Sequence, residues 1–167
     1  MIAAAVLVSF SIVAASAQQP SRGGALATVL ERMDEPTRQA LFYARLAVSQ
    51  HGGEAIGVEH ILVGLLRAAP ITVKGYLSAD ALEKLEQSAA ALLPEGATVA
   101  EKVEIPFNHE AVRVLRNIAR DSTGVVEIKP EHLLLSLLSD QQSPVGKLLH
   151  EVGISREAVL AYLQRSP

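Results

Sequence analysis

Apolar residues recur every three or four positions along most of this chain, the spacing that places them on one face of an α-helix. Residues 37–50 carry Ala40, Ala44 and Ala47 at this spacing, and residues 110–121 repeat the pattern. Further helices are predicted over residues 59–66, 71–77, 80–92, 131–138, 145–149 and 155–163. Because no stretch alternates with the period of two that indicates a strand, the pattern predicts an all-α protein.

The helices fall into two copies of one unit. Residues 56–66 and residues 128–138 share the order of apolar residues and an identical Glu-His pair, 72 positions apart. Neither copy has enough apolar surface to close a core alone, so the two are predicted to pack as a pseudo-twofold pair. The predicted organisation is a double four-helix repeat with a first repeat at 33–93, a linker at 94–106 that is exposed, and a second repeat at 107–167.

Polar side chains stand where four of these helices are predicted to begin. Asp34 and Asn108 precede the first helix of each repeat, and short polar side chains there accept hydrogen bonds from first-turn amides. Glu59 and Glu131 begin the central helices, where a carboxylate is favoured by the positive end of the helix dipole. Capping is the simplest interpretation of these residues. The pseudo-symmetry also predicts that both glutamates are surface-accessible.

The first residues have the composition of an export signal. Residues 2–17 are almost wholly apolar, carry no charge and end in Ala15-Ser16-Ala17, which predicts a signal peptide at 1–17 and a periplasmic or secreted protein. The alternative is an uncleaved membrane anchor, although sixteen helical residues span only about 24 Å. Residues 18–32, with Pro20 and two glycines, are predicted to be a flexible tether.

Composition narrows the chemistry further. The net charge of −3 argues against nucleic acid as a partner, since phosphate binding needs clustered Lys and Arg. The absence of cysteine excludes disulfides and thiol catalysis, so stability must come from packing. An aromatic content of 4% with no Trp favours aliphatic helix packing.

At the two Glu-His segments the chain resembles the Clp repeat, the N-terminal domain of the Clp unfoldase ATPases. Residues 59–66 and 131–138 look like the Glu-His-Leu-Leu-Leu-Gly-Leu-Leu signature of that family. The resemblance implies an all-α double repeat that recruits adaptors and substrate polypeptides to an ATPase ring. No Gly-x-x-x-x-Gly-Lys-Ser/Thr loop is present in this sequence, so ATP binding is not expected.

The resemblance also suggests a ligand for the two glutamates. In some Gram-positive Clp unfoldases the matching residues receive the guanidinium of phosphoarginine, and threonines at the start of each repeat help to hold the phosphate. Asp34 and Asn108 stand at those threonine positions here, so the resemblance makes four residues the candidates for peptide binding: Glu59, Glu131, Asp34 and Asn108. Because Asp34 would repel phosphate, an ordinary arginine or a basic peptide end fits Glu59 and Glu131 better.

No catalytic or metal-binding arrangement is evident. His60 and His132 precede apolar runs and are interpreted as structural histidines, since His-x-x-x-His spacing is absent. No Gly-x-Ser-x-Gly elbow occurs. The leading hypothesis is a non-catalytic module, without a cofactor, that binds proteins or unfolded peptide segments. The alternative is a stand-alone periplasmic holdase chaperone, and an enzyme is the third choice.

Overall fold

The computed structural model describes residues 22–96, 98, 105–122 and 124–165, and the fold of these residues is all-α. Their helices are α1 Arg22–Glu31, α2 Glu35–His51, α3 Val58–Ala68, α4 Pro70–Lys74, α5 Ala79–Ala91, α6 His109–Asp121, α7 Pro130–Leu137, α8 Pro144–Glu151 and α9 Arg156–Arg165. The prediction of four helices per repeat is confirmed by α2–α5 and α6–α9. In this part of the chain no helix is long and apolar enough to cross a membrane.

Local signals set the ends of α2. The Asp34 carboxylate accepts a hydrogen bond from the Thr37 amide at 2.8 Å, which satisfies one of the unpaired donors of the first turn. The helix stops at Gly52, which adopts φ +92, a left-handed conformation that favours glycine. A Cβ at Gly52 would also lie 2.5 Å from the Gly96 backbone. Both the backbone conformation and this close approach therefore require glycine at position 52.

The central helices α3 and α7 lie in the core, and each is crossed by the first helix of its own repeat. At Gly64 the two backbones approach so closely that a Cβ would lie 2.1 Å from the Ala40 carbonyl oxygen and 2.7 Å from the Ala44 nitrogen. The corresponding residue of α7 is Ser136, whose Oγ donates to the Val114 carbonyl at 2.7 Å. In the first repeat the helices cross closely because Gly64 has no side chain. In the second repeat a hydrogen bond from Ser136 joins the crossing helices.

Two short backbone pairings join the repeats. Met33 pairs with Ile128, and Ile56 pairs with Phe107, each as an isolated parallel bridge. Each pairing connects the segment before the first helix of one repeat to the segment before the central helix of the other. Since exchanging the repeats exchanges the two pairings, they define the pseudo-twofold arrangement. The buried apolar residues of both repeats form one core.

The prediction of a flexible tether at 18–32 is wrong over the part that the structure describes. Arg22–Glu31 is the helix α1, which packs against α6, and Val29 is 1% exposed. After it, the Arg32 guanidinium donates to the carbonyls of Ser122, at 2.9 Å, and Val125. The two glycines do not prevent the helix because burial of its apolar side outweighs their low propensity. The predicted signal peptide lies outside the described residues, so export stays a prediction.

The predicted exposed linker at 94–106 is exposed at its start and anchored at its end. Residues 94–96 are exposed, whereas Ile105 is 8% exposed and belongs to the core. The Pro106 carbonyl accepts a hydrogen bond from the Ile56 amide at 2.7 Å. The prediction of exposure is therefore wrong for Ile105, which packs into the core, whereas Pro106 is exposed as predicted and leads into the pairing that joins the repeats.

Candidate functional site

A pocket of about 300 Å³ lies where the two repeats meet, and two of the four predicted binding residues line it. Asp34 contributes from the start of α2, and Glu131 from the first turn of α7. The end of α3 and the start of α4, residues 68–72, form another part of the wall. The structure thus brings together Asp34 of the first repeat and Glu131 of the second.

Glu131 lines this pocket from a buried position. It is 7% exposed, so the prediction that it is surface-accessible is wrong. Its Oε1 lies 3.3 Å from Thr72 Oγ1, which donates a hydrogen bond to it from the first repeat. Burial of a carboxylate is costly unless it is hydrogen-bonded, and Thr72 supplies one such partner. A carboxylate can accept further hydrogen bonds beyond this one.

Glu59 takes a different position, folded back over the start of its own helix. The residue preceding α3 in the capping position is Gly57, and a Cβ there would lie 2.1 Å from Glu59 Oε1. In α7 the capping position is Lys129, whose side chain excludes the equivalent fold-back. The first repeat has glycine at this position and the second has lysine, so Glu59 and Glu131 take different positions.

The charge of Glu59 is stabilised locally. Burial raises the pKa of this carboxyl, but hydrogen bonding to His60 and to the backbone amide of Glu59 itself outweighs burial, so the pKa lies below its usual value. His60 Nδ1 is 3.0 Å from Glu59 Oε1 and 3.1 Å from the Gly57 amide, so one ring nitrogen faces an acceptor and a donor. The Glu59 carboxylate therefore lies over the first turn of α3, where the positive end of the helix dipole favours its charge.

Asn108 caps α6. It does not share a pocket with the glutamate of the other repeat, as Asp34 does with Glu131. Its carboxamide oxygen accepts from the Ala111 amide at 2.8 Å. The region equivalent to the Asp34 pocket is nearly filled, with about 10 Å³ left, and the ion pair of Arg113 with Asp140 lines it. The corresponding residues of the first repeat, Gln39 and Ala68, cannot form that ion pair. The chain thus has an open acidic pocket on one side of the pseudo-twofold axis and a closed counterpart on the other.

His60 and His132 lie at the starts of the central helices, and the buried Nε2 of His60 has no hydrogen-bond partner among the described residues. His60 is 1% exposed, and His132 is half-buried with Nδ1 accepting from the Lys129 amide at 3.1 Å. Burial lowers the pKa of His132, and the nearby Glu131 carboxylate only partly opposes this. Across the described residues, no group of three or more His, Cys, Asp or Glu side chains is placed to hold a metal ion.

The pKa of Tyr76 depends in part on the charge of Glu131. Burial, followed by the Glu131 carboxylate and then Tyr162, raises the pKa of Tyr76 from 10.0 to about 12. The two tyrosine rings pack edge to face with centroids 5.8 Å apart. In the described part of the chain the Tyr76 hydroxyl has no hydrogen-bond partner, so no contact to a donor offsets this rise.

We expect an alkaline titration of the chain to show a late phase near pH 12, in which Tyr76 ionises above the ordinary tyrosine pKa of 10.0. Tyrosinate absorbance measures this. Because the folded pKa is raised, the stability contributed by neutral Tyr76 is present below pH 10 and is lost as the pH rises towards 12. Glu131→Gln should lower the pKa of Tyr76, and Tyr76→Phe should remove the late phase. A late phase that persists in Tyr76→Phe contradicts the assignment.

The fold and the pocket define a class: a double four-helix repeat domain with an acidic pocket at the junction of its repeats. Residues 32–152 match the family model of the Clp repeat (R) N-terminal domain, and the chain belongs to this family. It is 27% identical over 139 residues to the negative regulator of genetic competence ClpC/MecB of Bacillus subtilis (strain 168). That match covers 79% of this chain and 17% of the relative.

Solved structures share the fold. The N-terminal domain of the caseinolytic protease associated chaperone ClpD from Arabidopsis thaliana has a TM-score of 0.59 at 20% identity, covering 81% of this chain and 97% of that one. The Hsp104 N-terminal domain from Candida albicans has a TM-score of 0.62 at 17% identity, covering 76% and 85%. A structure from a malarial protein secretion system has a TM-score of 0.68 at 20% identity, covering 80% and 93%.

The start of α4 was not predicted to be part of the site. Pro70, Ile71 and Thr72 belong to no motif, and their role follows from where this helix start lies relative to α7. Lys129 was also missed, although its difference from Gly57 is visible when the repeats are aligned.

Proposed function

We propose that this chain is a non-catalytic module that binds a segment of another polypeptide and holds a basic side chain of that segment in the Asp34–Glu131 pocket. The observation that carries the proposal is the convergence of two carboxylates, one from each repeat, on one open pocket. The ClpC relative, the ClpD chaperone domain and the Hsp104 domain support a role in handling other proteins. The predicted signal peptide would place this binding in the periplasm or outside the cell.

The charge of the pocket favours a cation. Asp34 uses one oxygen to cap α2, and Glu131 receives one hydrogen bond from Thr72, so each carboxylate retains acceptor capacity. Lys129 also lines the pocket and offsets one of the two negative charges. A guanidinium suits the site better than an ammonium because its planar fork of five donors matches carboxylate oxygens.

The rest of the pocket offers apolar contact to the neighbouring part of a peptide. Ile71 lines it and is 83% exposed, an unusual exposure for a large aliphatic side chain. Three prolines, Pro36, Pro70 and Pro130, also line it and present rigid rims. An arginine flanked by aliphatic residues is therefore the ligand that the pocket fits best.

Glu131→Gln is expected to weaken binding of a short arginine-containing peptide about 10- to 100-fold, the value of one charge-assisted contact. Fluorescence anisotropy of a labelled peptide with one arginine between leucines measures this, and the same peptide with citrulline tests the charge. Glu59→Gln is the matched control, because Glu59 occupies the corresponding position at the start of α3 and does not line the pocket. Lys129→Gln should strengthen binding by removing the competing positive charge.

The stability of each variant must be measured beside its affinity. Glu131→Gln keeps the shape of the side chain and should change the free energy of unfolding by less than about 1 kcal/mol. Equal loss of affinity in Glu131→Gln and Glu59→Gln would contradict the pocket assignment. Binding that ignores both the arginine and Glu131, with similar affinity for many apolar peptides, would favour the holdase alternative.

A further inference from the structure

A second surface of opposite charge lies on α6 and is separate from the acidic pocket. His109, Arg113 and Arg116 follow one another at intervals of four and three residues and are all exposed, so they form one face of the helix. They line an open groove of about 680 Å³. Phe107 and Val112, both half-buried, supply its apolar floor. We call this surface the α6 groove.

The two arginines of the α6 groove differ in their ion pairs. Arg113 forms an ion pair with Asp140 but keeps 56% of its side chain exposed. Arg116 has no ion pair or hydrogen bond to any other described residue. With no partner among the described residues, its guanidinium has five donors for water or for a ligand.

The fold does not require these charges. In the first repeat the residues corresponding to His109, Arg113 and Arg116 are Glu35, Gln39 and Phe42 on α2, which packs on its central helix in the same way. If packing of the first helix on the central helix required these charges, both repeats would carry similar residues at these positions. The difference indicates that the α6 face serves a contact outside the fold.

We propose that the α6 groove binds an acidic segment of another polypeptide, with carboxylates about one helical turn apart meeting Arg113 and Arg116. Charge complementarity supports this occupant, because the groove is basic on a chain whose net charge is −3. Phe107 and Val112 give apolar side chains of the segment a place to pack. This surface shares no residue with the Asp34–Glu131 pocket, so its test is independent of the proposed function.

A protein segment fits the groove better than a nucleic acid. Glu110, Asp121 and Asp140 flank the arginines on α6 or on the segment beside it and would repel a run of phosphates. Two arginines and an apolar floor match a few carboxylates interspersed with aliphatic side chains. A polyanion needs a longer basic track than this helix provides.

The test uses the full chain and a labelled helical peptide of about 12 residues, long enough to cover roughly 18 Å, with glutamates at i, i+4 and i+7 and leucines between them. A second peptide carries glutamine in place of each glutamate. Fluorescence anisotropy measures both affinities, and amide chemical shifts locate the bound peptide. Arg116→Gln is the test variant. Lys84→Gln on α5, also exposed, removes the same charge elsewhere and is the control.

We expect the glutamate peptide to bind at least about tenfold more tightly than the glutamine peptide, and Arg116→Gln to weaken it about tenfold or more. Lys84→Gln should change affinity by less than about twofold. Shifts should concentrate on α6, and Glu131→Gln should have no effect. Arg116→Glu should bind a lysine version of the peptide instead.

Several results would overturn the proposal. They are no binding at about 1 mM peptide, equal affinity for the two peptides, or equal effects of Arg116→Gln and Lys84→Gln. Tighter binding of a single-stranded oligonucleotide at α6 would assign the groove to nucleic acid. A dimer of the chain that dissociates on Arg116→Gln would assign it to a second copy.

Discussion

Gly64→Ala is expected to destabilise the fold by about 3 kcal/mol or more, the upper range for overpacking a core. The added Cβ would lie 2.1 Å from the Ala40 carbonyl oxygen and 2.7 Å from the Ala44 nitrogen. Both obstacles are backbone atoms of α2, so no side-chain rotation relieves them. The helices α2 and α3 must move apart, and contacts along their whole interface weaken.

Urea denaturation of the parent chain and the variant measures this loss as a change in the free energy of unfolding. Gly75→Ala is the matched control. Gly75 has φ −63 at the end of α4, and its Cβ would come no closer than 3.5 Å to the Thr72 carbonyl. This change should be neutral or stabilise by about 0.4–1 kcal/mol, since it restricts the unfolded chain. If Gly64→Ala and Gly75→Ala have the same stability, the close crossing of α2 and α3 is refuted.

Each repeat produced alone is expected to lack a cooperative fold, whereas the intact chain unfolds in one transition. The two pairings, Met33 with Ile128 and Ile56 with Phe107, both join one repeat to the other. Of these four residues, Met33, Ile56 and Ile128 are at most 3% exposed, so separation uncovers them. Each central helix also loses the second layer that covers it.

Circular dichroism of residues 22–93 and 107–167, made separately and then mixed, tests this coupling. The first fragment includes α1, which packs against α6 of the other repeat and so should depend on the mixture most strongly. Recovery of helicity and of a sharp thermal transition on mixing is the expected result. Two halves that melt cooperatively on their own, near the melting temperature of the intact chain, would contradict a shared core.

Much of the architecture is determined by the sequence itself because it depends on interactions between neighbouring residues. The three-and-four periodicity predicted α2 and α6 to within two residues at each end. Asp34 and Asn108 were identified as caps because a capping side chain bonds to an amide three residues away. The Glu-His segments revealed the repeat and, through it, the family.

The binding site depended on the tertiary structure, because its residues come from distant parts of the chain. Asp34 and Glu131 were nominated separately, but only the packing of α7 beside the start of α2 places them in one pocket. The sequence pattern predicted equivalent roles for Glu59 and Glu131, since the segments around them are similar. Gly57 allows one to fold back over its helix, and Lys129 prevents the other from doing so.

The tertiary structure also decided what α1 and α6 do. Two glycines and a proline in residues 18–24 indicate flexibility by local propensity, yet Val29 finds a buried place against the second repeat that a local pattern cannot reveal. The arginines of α6 are visible in the sequence as a helical stripe. Arg120 pairs with its neighbour Asp121, whereas Arg113 pairs with Asp140, which is far from it along the chain and is brought to it by long-range packing.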